Sequence, residues 1–358
     1  MAIREDVLAL VAKGIDTPHA GGPLLHALID PTTAPVLVAD AAAGKLDGAF
    51  ASKRPAHGDR FTPALVSSCA MLLPFLFQEL PVGDAYRNAL PALVTAVNAR
   101  LADPTTLLPI VSRYSEVKEG RALFDSLGGD AVTVAEGTEQ RDDGVIVAEI
   151  TRQGAQLRAA VRSGKVGSWK DATTVWKLHA TTEYHAERPL GGAAFLQDLA
   201  PAFLARIAKT PVPEGAYEAN PLLSAPKTLA EVIATYTLSE EAAMLYLQLL
   251  ALAEPTMKRV QLFNGWKPAT HKKAEAELVA KKLVVPGKRE RAGREVFLPG
   301  GWEKGVGLDL PNESWKKKMF DLPRGELGRR LPPLPLHLMF EAAWQRVQAG
   351  DAPRYEEV

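Results

Sequence analysis

Apolar and polar positions follow a helical period through much of the first third of the chain. Segment 4–13 places its apolar residues on one face, and Gly14 behind it favours a helix end. The string Pro-Ala-Leu-Val occurs at 63–66 and 91–94, opening or interrupting an apolar helix each time, with a fainter echo at 108–112. The pattern predicts a helical N-terminal region over residues 1–127, built as stacked helical hairpins or as an irregular bundle without repeats.

The period changes near residue 130. Segments 131–135 and 145–150 are rich in β-branched residues and are separated by the polar segment 136–144, which we expect to be a turn. Segment 191–209 returns to a helical pattern. A small mixed α/β region is therefore predicted over residues 130–210.

A stretch with four prolines, 211–226, has no periodicity and is predicted to be a linker. The T-x-x-E sequence from Thr237 to Glu240 then matches a capping box in front of an apolar helix. Thr256 is expected to cap a second, short helix that ends at Asn264-Gly265, and Pro268 to begin a third helix.

The third helix is expected to bury one face. Ala276, Val279, Ala280 and Leu283 recur at spacings of three and four, which is the signature of that face. Two β-prone segments, 283–285 and 295–298, follow it and flank a polar loop that contains Gly287 and Gly293, so a β-hairpin is predicted there.

Basic residues concentrate in this same part of the chain. Between Thr256 and Leu298 there are eleven Lys or Arg and four Glu, an excess of seven positive charges in a chain whose formal net charge is zero. Basic charge gathered on one small module is the electrostatic footprint of a nucleic-acid-binding protein. A solvated basic face on a protein-binding module is the alternative.

The order of helix, turn, helix, strand, basic loop and strand from Lys227 to Pro299 resembles the winged helix-turn-helix superfamily. In that superfamily the second helix of the turn enters the major groove, and the hairpin tip, called the wing, lies on the DNA backbone or in the adjacent groove. One position departs from the pattern: Lys282 stands before the first wing strand, where many members have Gly.

The resemblance implies a winged helix over 227–300 and a DNA interface formed by the start of its reading helix and by its wing. The implied contact residues are Lys267, Thr270, His271, Lys272, Lys273, Lys288, Arg289, Arg291 and Arg294.

Binding of double-stranded DNA through this interface is expected to be dominated by the phosphate backbone. Lys and Arg neutralise phosphates, whereas the start of the reading helix, residues 267–273, contains no Arg, Asn or Gln for bidentate base contacts. The predicted function is DNA binding with modest sequence preference in regulation, genome maintenance or defence. The alternative is a non-enzymatic scaffold whose helical region and winged helix bind protein partners.

Residues 301–358 are predicted to form a C-terminal extension. It carries a second basic run, Lys316–Lys318, a proline run at 332–335 that should be extended, and a closing helix over 336–348. The apolar side of that helix is expected to fold back on the domains, because a free helix of this length is marginal in water; a partner-binding helix is the alternative.

Composition indicates a globular chain, and the patterns described above predict a mainly α fold with a smaller α+β part. The single cysteine, Cys69, excludes internal disulfides and Cys-based zinc sites, and it is expected to be a buried small hydrophobe. The N-terminus lacks the pattern of a signal peptide, and no apolar run approaches the ~20 residues of a membrane span, so a cytoplasmic, bacterial protein without membrane contact is predicted.

Sequence motifs for catalysis are weak. His179, Glu183 and His185 lie close together and could share one face of a strand, which makes them a minor candidate for a metal or acid/base site. The chain has no P-loop, no Gly-x-Gly-x-x-Gly, no Gly-x-Ser-x-Gly and no His-Glu-x-x-His. We therefore predict no enzymatic activity, no cofactor and no metal.

Overall fold

Helices dominate the structure, a computed structural model, and the strands are a minority, which confirms a mainly α chain with a small antiparallel sheet. The structure describes residues 5–14, 22–34, 37, 63–111, 117–151, 157–169, 171–175, 189–303, 311–320 and 331–354. Within these ranges, no helix combines the length and the apolar character needed to cross a membrane.

Two compact units make up the chain. Unit 1 comprises Met1–Met71 and Pro91–Ala200, and unit 2 comprises Leu72–Leu90 and Pro201–Val358. Each unit is therefore discontinuous in sequence, a division that no local pattern of residues indicates.

The elements up to residue 208 are, in chain order, α1 (Glu5–Gly14), α2 (Gly22–Ile29), α3 (Pro63–Glu79), α4 (Ala85–Ala102), β1 (Leu107–Val111), α5 (Val117–Asp125), β2 (Val132–Ala135), β3 (Thr138–Asp142), β4 (Ile146–Thr151), β5 (Leu157–Arg162), α6 (Pro189–Asp198) and α7 (Ala200–Ala208).

Unit 1 contains a five-stranded antiparallel sheet in the order β1-β5-β4-β3-β2. Leu107, Val147 and Ala160, from β1, β4 and β5, form a buried apolar cluster in it. Helix α5 packs against β4 and β5 and supplies the buried ring of Phe124. The guanidinium groups of Arg121 and Arg141 lie 5.5 and 5.4 Å from the centre of that ring.

Two expectations for unit 1 are wrong in detail. The polar segment 136–144 is not only a turn, because residues 138–142 form β3, whose ladder hydrogen bonds with β2 and β4 outweigh its low β-propensity. The fainter echo at 108–112 does not belong to a helix, because residues 107–111 pair with β5 as an edge strand. Pro109 is compatible with such an edge position.

The segment 191–209 forms two helices, α6 and α7, rather than one. Pro201 lies at the second position of α7, and it has no N–H with which to continue the helical ladder. Gly192 in α6 allows close packing against α3, because a Cβ atom there would lie 2.8 Å from the Cα of Ser67. Cys69 in α3 is buried, as expected, and its burial raises the pKa of its thiol to about 12.

The elements that follow are α8 (Pro221–Ser224), α9 (Pro226–Tyr236), α10 (Glu240–Ala251), α11 (Met257–Asn264), α12 (Pro268–Ala280), β6 (Val285–Pro286), β7 (Val296–Phe297), β8 (Trp302–Glu303), β9 (Asn312–Glu313), α13 (Lys317–Phe320) and α14 (Leu336–Gln348).

Helix α10 is the central element of unit 2. Every residue from Ala242 to Ala251 is buried, and α8, α9, α12 and α14 pack around it. A helix that is apolar on all sides needs partners on all sides. The closing helix α14 therefore folds back as expected, and its Trp344 donates an indole N–H to Glu231 of α9 at 2.9 Å.

The cap of α10 differs from the predicted capping box. Thr237 ends α9 in the left-handed conformation, with φ of 54°, and Ser239 is the residue that caps α10. The reciprocal carboxylate comes from Glu277 of α12, which accepts hydrogen bonds from the backbone N–H of Ser239 at 2.7 Å and from its hydroxyl at 2.6 Å. These bonds lower the pKa of Glu277 and join the start of α10 to α12.

Segment 211–226 is not a free linker. Glu218 within it is fully buried and accepts hydrogen bonds from Arg87 at 3.1 Å, from Arg206 and from the hydroxyl of Thr210. Arg87 is itself buried and stacks on the ring of Phe77. A proline-rich composition does not reveal that a carboxylate in the segment neutralises two cations inside unit 2.

Removing the charge of Glu218 is expected to destabilise unit 2 strongly. Glu218→Gln leaves the buried guanidinium of Arg87 uncompensated, so the free energy of unfolding should fall by about 3–5 kcal/mol in urea denaturation. Glu214→Gln is the matched control: Glu214 is exposed four residues away, and its loss should change stability by less than about 0.5 kcal/mol. Equal effects of the two substitutions would contradict the role given to Glu218.

Candidate nucleic-acid interface

Helix α11 has the caps that the sequence predicts, α12 begins at the predicted proline, and the predicted hairpin follows α12. Thr256 accepts a hydrogen bond from the N–H of Arg259, and Gly265 ends α11 in the left-handed conformation with φ of 66°. Pro268 is the first residue of α12. Strands β6 and β7 pair antiparallel, with Val285 opposite Phe297, and the loop 287–295 connects them.

A pair of amide side chains, one buried and one half-buried, fixes α11 against the central helix. Gln248 of α10 and Asn264 of α11 exchange two side-chain hydrogen bonds, of 3.0 and 2.8 Å. The Gln248 amide also donates to the carbonyl of Ala219 at 2.8 Å. Leaving a buried amide without hydrogen bonds would destabilise the fold. These bonds therefore determine where the turn between α11 and α12 lies against α10.

The buried face of α12 is not the one that the sequence predicts. His271, Ala274, Glu275 and Leu278 are buried, at the spacing i, i+3, i+4 and i+7. Of the four residues expected there, Ala276 and Ala280 are exposed, and Val279 and Leu283 are half-buried. Two polar side chains, His271 and Glu275, bond to each other inside unit 2, so apolar character alone points to the wrong face.

The outward face of α12 is therefore small and basic. It presents the methyl groups of Ala269, Ala276 and Ala280, flanked by the exposed side chains of Lys272 and Lys273. This face can approach another surface closely, and the two ammonium groups can neutralise anions beside it.

Five of the nine predicted contact residues are exposed: Lys267, Lys272, Lys273, Lys288 and Arg291. Thr270 and Arg289 are half-buried, and His271 and Arg294 are buried.

His271 does not face solvent as a contact residue on the outside of α12 would. Its side chain is only 2% exposed, and its Nε2 atom lies 3.1 Å from Oε1 of Glu275. The ring of Trp266 packs edge-on against it at a centroid distance of 6.2 Å. Its position at the start of the helix suited it to a reading role, but the rotation of α12 directs it inward.

Arg294 is also buried, and the expectation that it decorates an exposed wing is wrong. One of its nitrogens, Nη2, donates to both carboxylate oxygens of Glu313 at 2.8 Å. Lys316 lies on the same carboxylate at 3.2 Å and donates to the carbonyl oxygen of Leu252 at 2.9 Å. Burial alone would raise the pKa of Glu313, but the charges of Lys316 and Arg294 outweigh burial and lower it to about 2.

Arg289 is held over two aromatic rings. Its guanidinium carbon lies 4.7 Å from the ring centre of Phe297 and 4.6 Å from that of Trp302, and the two rings meet edge to face at 5.3 Å. The aromatic pair joins the β6–β7 hairpin to β8. Arg289 therefore stabilises the base of the hairpin as well as adding charge to it.

Three exposed cations lie outside the predicted contact set. Lys258 stands on α11, and Lys281 and Lys282 stand at the end of α12. All three belong to the eleven basic residues of the segment, but the resemblance implies contacts only at the start of the reading helix and on the wing. In total, the surface of 256–298 carries eight exposed Lys or Arg and two exposed Glu.

The minor catalytic candidate, His179 with Glu183 and His185, lies outside the described residues. In the part of the chain that the structure describes, no group of three or more His, Cys, Asp or Glu side chains is arranged to hold a metal ion.

Comparison of the chain with models of protein families, with curated proteins and with solved structures finds no match in any of the three.

Lys282 occupies a position that favours glycine, and replacing it should stabilise the protein. Its φ is 59°, and the bonds from Lys282 N to Val279 O and from Leu283 N to Leu278 O form the helix-ending motif in which glycine is preferred. Lys282→Gly is expected to raise the free energy of unfolding by about 0.5–1 kcal/mol. Lys281→Gly, at a right-handed position, should lower it by a similar amount. Urea denaturation of both variants measures these changes. The prediction is wrong if neither variant is more stable than the parent, or if both are.

The interaction of Glu313 with its two cations should appear in the acid dependence of stability. Its folded pKa of about 2 lies below the usual 4.5, so its contribution is complete above about pH 4.5 and is lost as the pH falls through 2. Glu313→Gln should be about 3 kcal/mol less stable than the parent at pH 7, and this difference should shrink steadily between pH 4.5 and 2.

Urea denaturation at pH 7, 4.5, 3 and 2 measures the difference between parent and variant. Glu295→Gln serves as control, since Glu295 is exposed, and its difference from the parent should stay near zero throughout. A difference for Glu313→Gln that did not change with pH would show that Arg294 and Lys316 do not hold the carboxylate in its charged form.

Proposed function

We propose that residues 227–300 form a winged helix that binds double-stranded DNA, chiefly through the phosphate backbone. The observation that carries the proposal is the charge on the surface of α11, α12 and the β6–β7 hairpin. Folding buries or pairs Arg294, Glu275 and Glu277, yet eight exposed cations remain against two exposed acids. A surface of that composition attracts a polyanion and releases its counterions on contact.

The order of elements supports the winged-helix part of the proposal. Helices α10, α11 and α12 follow one another, with α12 packed on α10, and a two-stranded antiparallel hairpin comes directly after α12. In this arrangement α12 would be the helix that meets the groove, and the loop 287–295 would be the wing.

The outward face of α12 argues for modest sequence preference. Lys272 and Lys273 can reach phosphates or the acceptor atoms of guanine, while Ala269, Ala276 and Ala280 offer only methyl groups. With His271 buried, the face lacks the planar, bidentate side chains that discriminate strongly between bases. The affinity for different duplex sequences should therefore vary far less than the ~10³-fold or more of dedicated operator-binding proteins.

A protein-binding scaffold is the second candidate, and one observation favours it. Leu262 on α11 is 54% exposed, and Leu222 on the neighbouring α8 is 36% exposed. The amide of Asn220 bonds to the carbonyl of Phe263 at 3.4 Å, which brings α8 beside α11. Exposed leucines on adjacent helices are a surface that a protein partner can cover.

A salt titration of DNA binding tests the proposal. Binding of the whole chain to a random 20-base-pair duplex should weaken linearly in log affinity against log salt, with a slope near −0.9 for each phosphate neutralised. Changing Lys272, Lys273, Lys288 and Arg291 together to Ala should weaken binding to every duplex and reduce the slope by about 3 to 4.

The control removes the same amount of charge away from α11, α12 and the hairpin: Lys165, Lys209, Lys227 and Arg354, all exposed, are changed together to Ala. This control should keep most of the affinity and of the slope. Failure of the parent to bind duplex at low salt would exclude the DNA function and favour the scaffold. Equal losses in the two quadruple variants would show that net charge, and not the α12 and wing surface, determines binding.

A further inference from the structure

Strand β2 lies at one end of the five-stranded sheet in unit 1. Strand β2 is the last in the sheet order, so it pairs with β3 on one side, and in the described part of the chain no strand pairs with its other side. All four of its residues are exposed, including Val132 at 53% and Val134 at 47%. An edge of this kind offers unpaired backbone N–H and C=O groups together with β-branched side chains.

Acidic residues stand at both ends of this edge. Asp130 precedes β2 and Glu136 follows it, both exposed, and neither has an ion-pair partner among the described residues. They are six positions apart along the chain, with Glu136 in the turn after β2, so their Cα atoms lie at most about 20 Å apart. Natural edge strands are commonly protected by lysine or proline, but β2 contains neither, and its protection consists of these two carboxylates and a bulge between Thr133 and Ala135.

The charges disfavour a second copy of the chain as the partner of this edge. Two copies of β2 paired antiparallel about Thr133 would place Asp130 of each opposite Glu136 of the other. Two like-charged pairs would then face each other across a contact of only four residues on each strand, which is destabilising. The same carboxylates attract a strand that has cations at its ends.

We propose that β2 is a docking edge for an extended segment of another protein that joins the sheet as a sixth strand. The segment carries β-branched residues in its middle and Lys or Arg at two positions about six residues apart. Backbone hydrogen bonds supply the attachment, and Asp130 and Glu136 select the basic ends. Strand β2 belongs to unit 1, whereas the basic surface proposed to bind DNA belongs to unit 2, so peptide docking at β2 does not require DNA binding.

Fluorescence anisotropy with labelled peptides tests the proposal on the whole chain. The probe is the capped peptide KVTVTVK, and two control peptides are EVTVTVE and a KVTVTVK that is N-methylated at alternate residues to block strand pairing. The parent should bind the probe about tenfold more tightly than the acidic peptide, since attraction at both ends is replaced by repulsion. The N-methylated probe should not bind, although its charge is the same.

The decisive variant is Asp130→Lys with Glu136→Lys, which should reverse the preference and bind the acidic peptide more tightly. Circular dichroism checks that the variant folds. If it does not fold, the affinities of the parent for the three peptides still test the proposal. No binding of the probe, or equal binding of the N-methylated probe, would overturn the proposal. Sedimentation provides a further test. A concentration-dependent dimer that the double variant Val132→Lys with Val134→Lys abolishes would also overturn the proposal, because a second copy of the chain would then occupy the edge.

Discussion

The burial of every residue of α10 from Ala242 to Ala251 is the constraint on which unit 2 depends. A helical segment with no solvent-facing side must be enclosed by other helices, and α8 and α9, which precede it in the chain, and α12 and α14, which follow it, all pack against it. Its one buried amide, Gln248, must also be satisfied, and Asn264 and the carbonyl of Ala219 do so. The position of the basic surface therefore follows from the packing of an apolar helix.

Buried carboxylates connect distant parts of the chain to this framework. Glu218 neutralises Arg87 and Arg206, and Glu313 neutralises Arg294 and Lys316. Each carboxylate is buried, so the loss of either partner would leave a charge without compensation in a poorly solvated place. The second of these clusters holds the hairpin against the C-terminal segment, and it does so with an arginine that the sequence had placed on the wing surface.

Folding gives the basic residues of segment 256–298 two different roles: some hold the structure together, and others remain on the surface. Within 256–298, Arg259 pairs with Glu254 and Glu79, Arg294 pairs with Glu313, and Arg289 stacks on Phe297 and Trp302. The lysines remain outside, together with Arg291. Arginine suits the structural role because its planar guanidinium bonds and stacks in several directions at once, whereas an ammonium group is strongly hydrated, and every lysine of this segment is exposed.

The sequence by itself determined the elements that depend on local chemistry. Thr256, Gly265 and Pro268 set the ends of α11 and α12 through capping, the left-handed conformation and the missing proline N–H, and each acts within a few residues. Tertiary structure alone decided which face of α12 is buried, because His271 and Glu275 can enter the interior only by bonding to each other. It also decided that Ser239 is capped by Glu277, 38 residues away, and that the proline-rich segment 211–226 holds a buried carboxylate. These outcomes depend on groups that are far apart in the chain, and no local pattern of residues records such pairs.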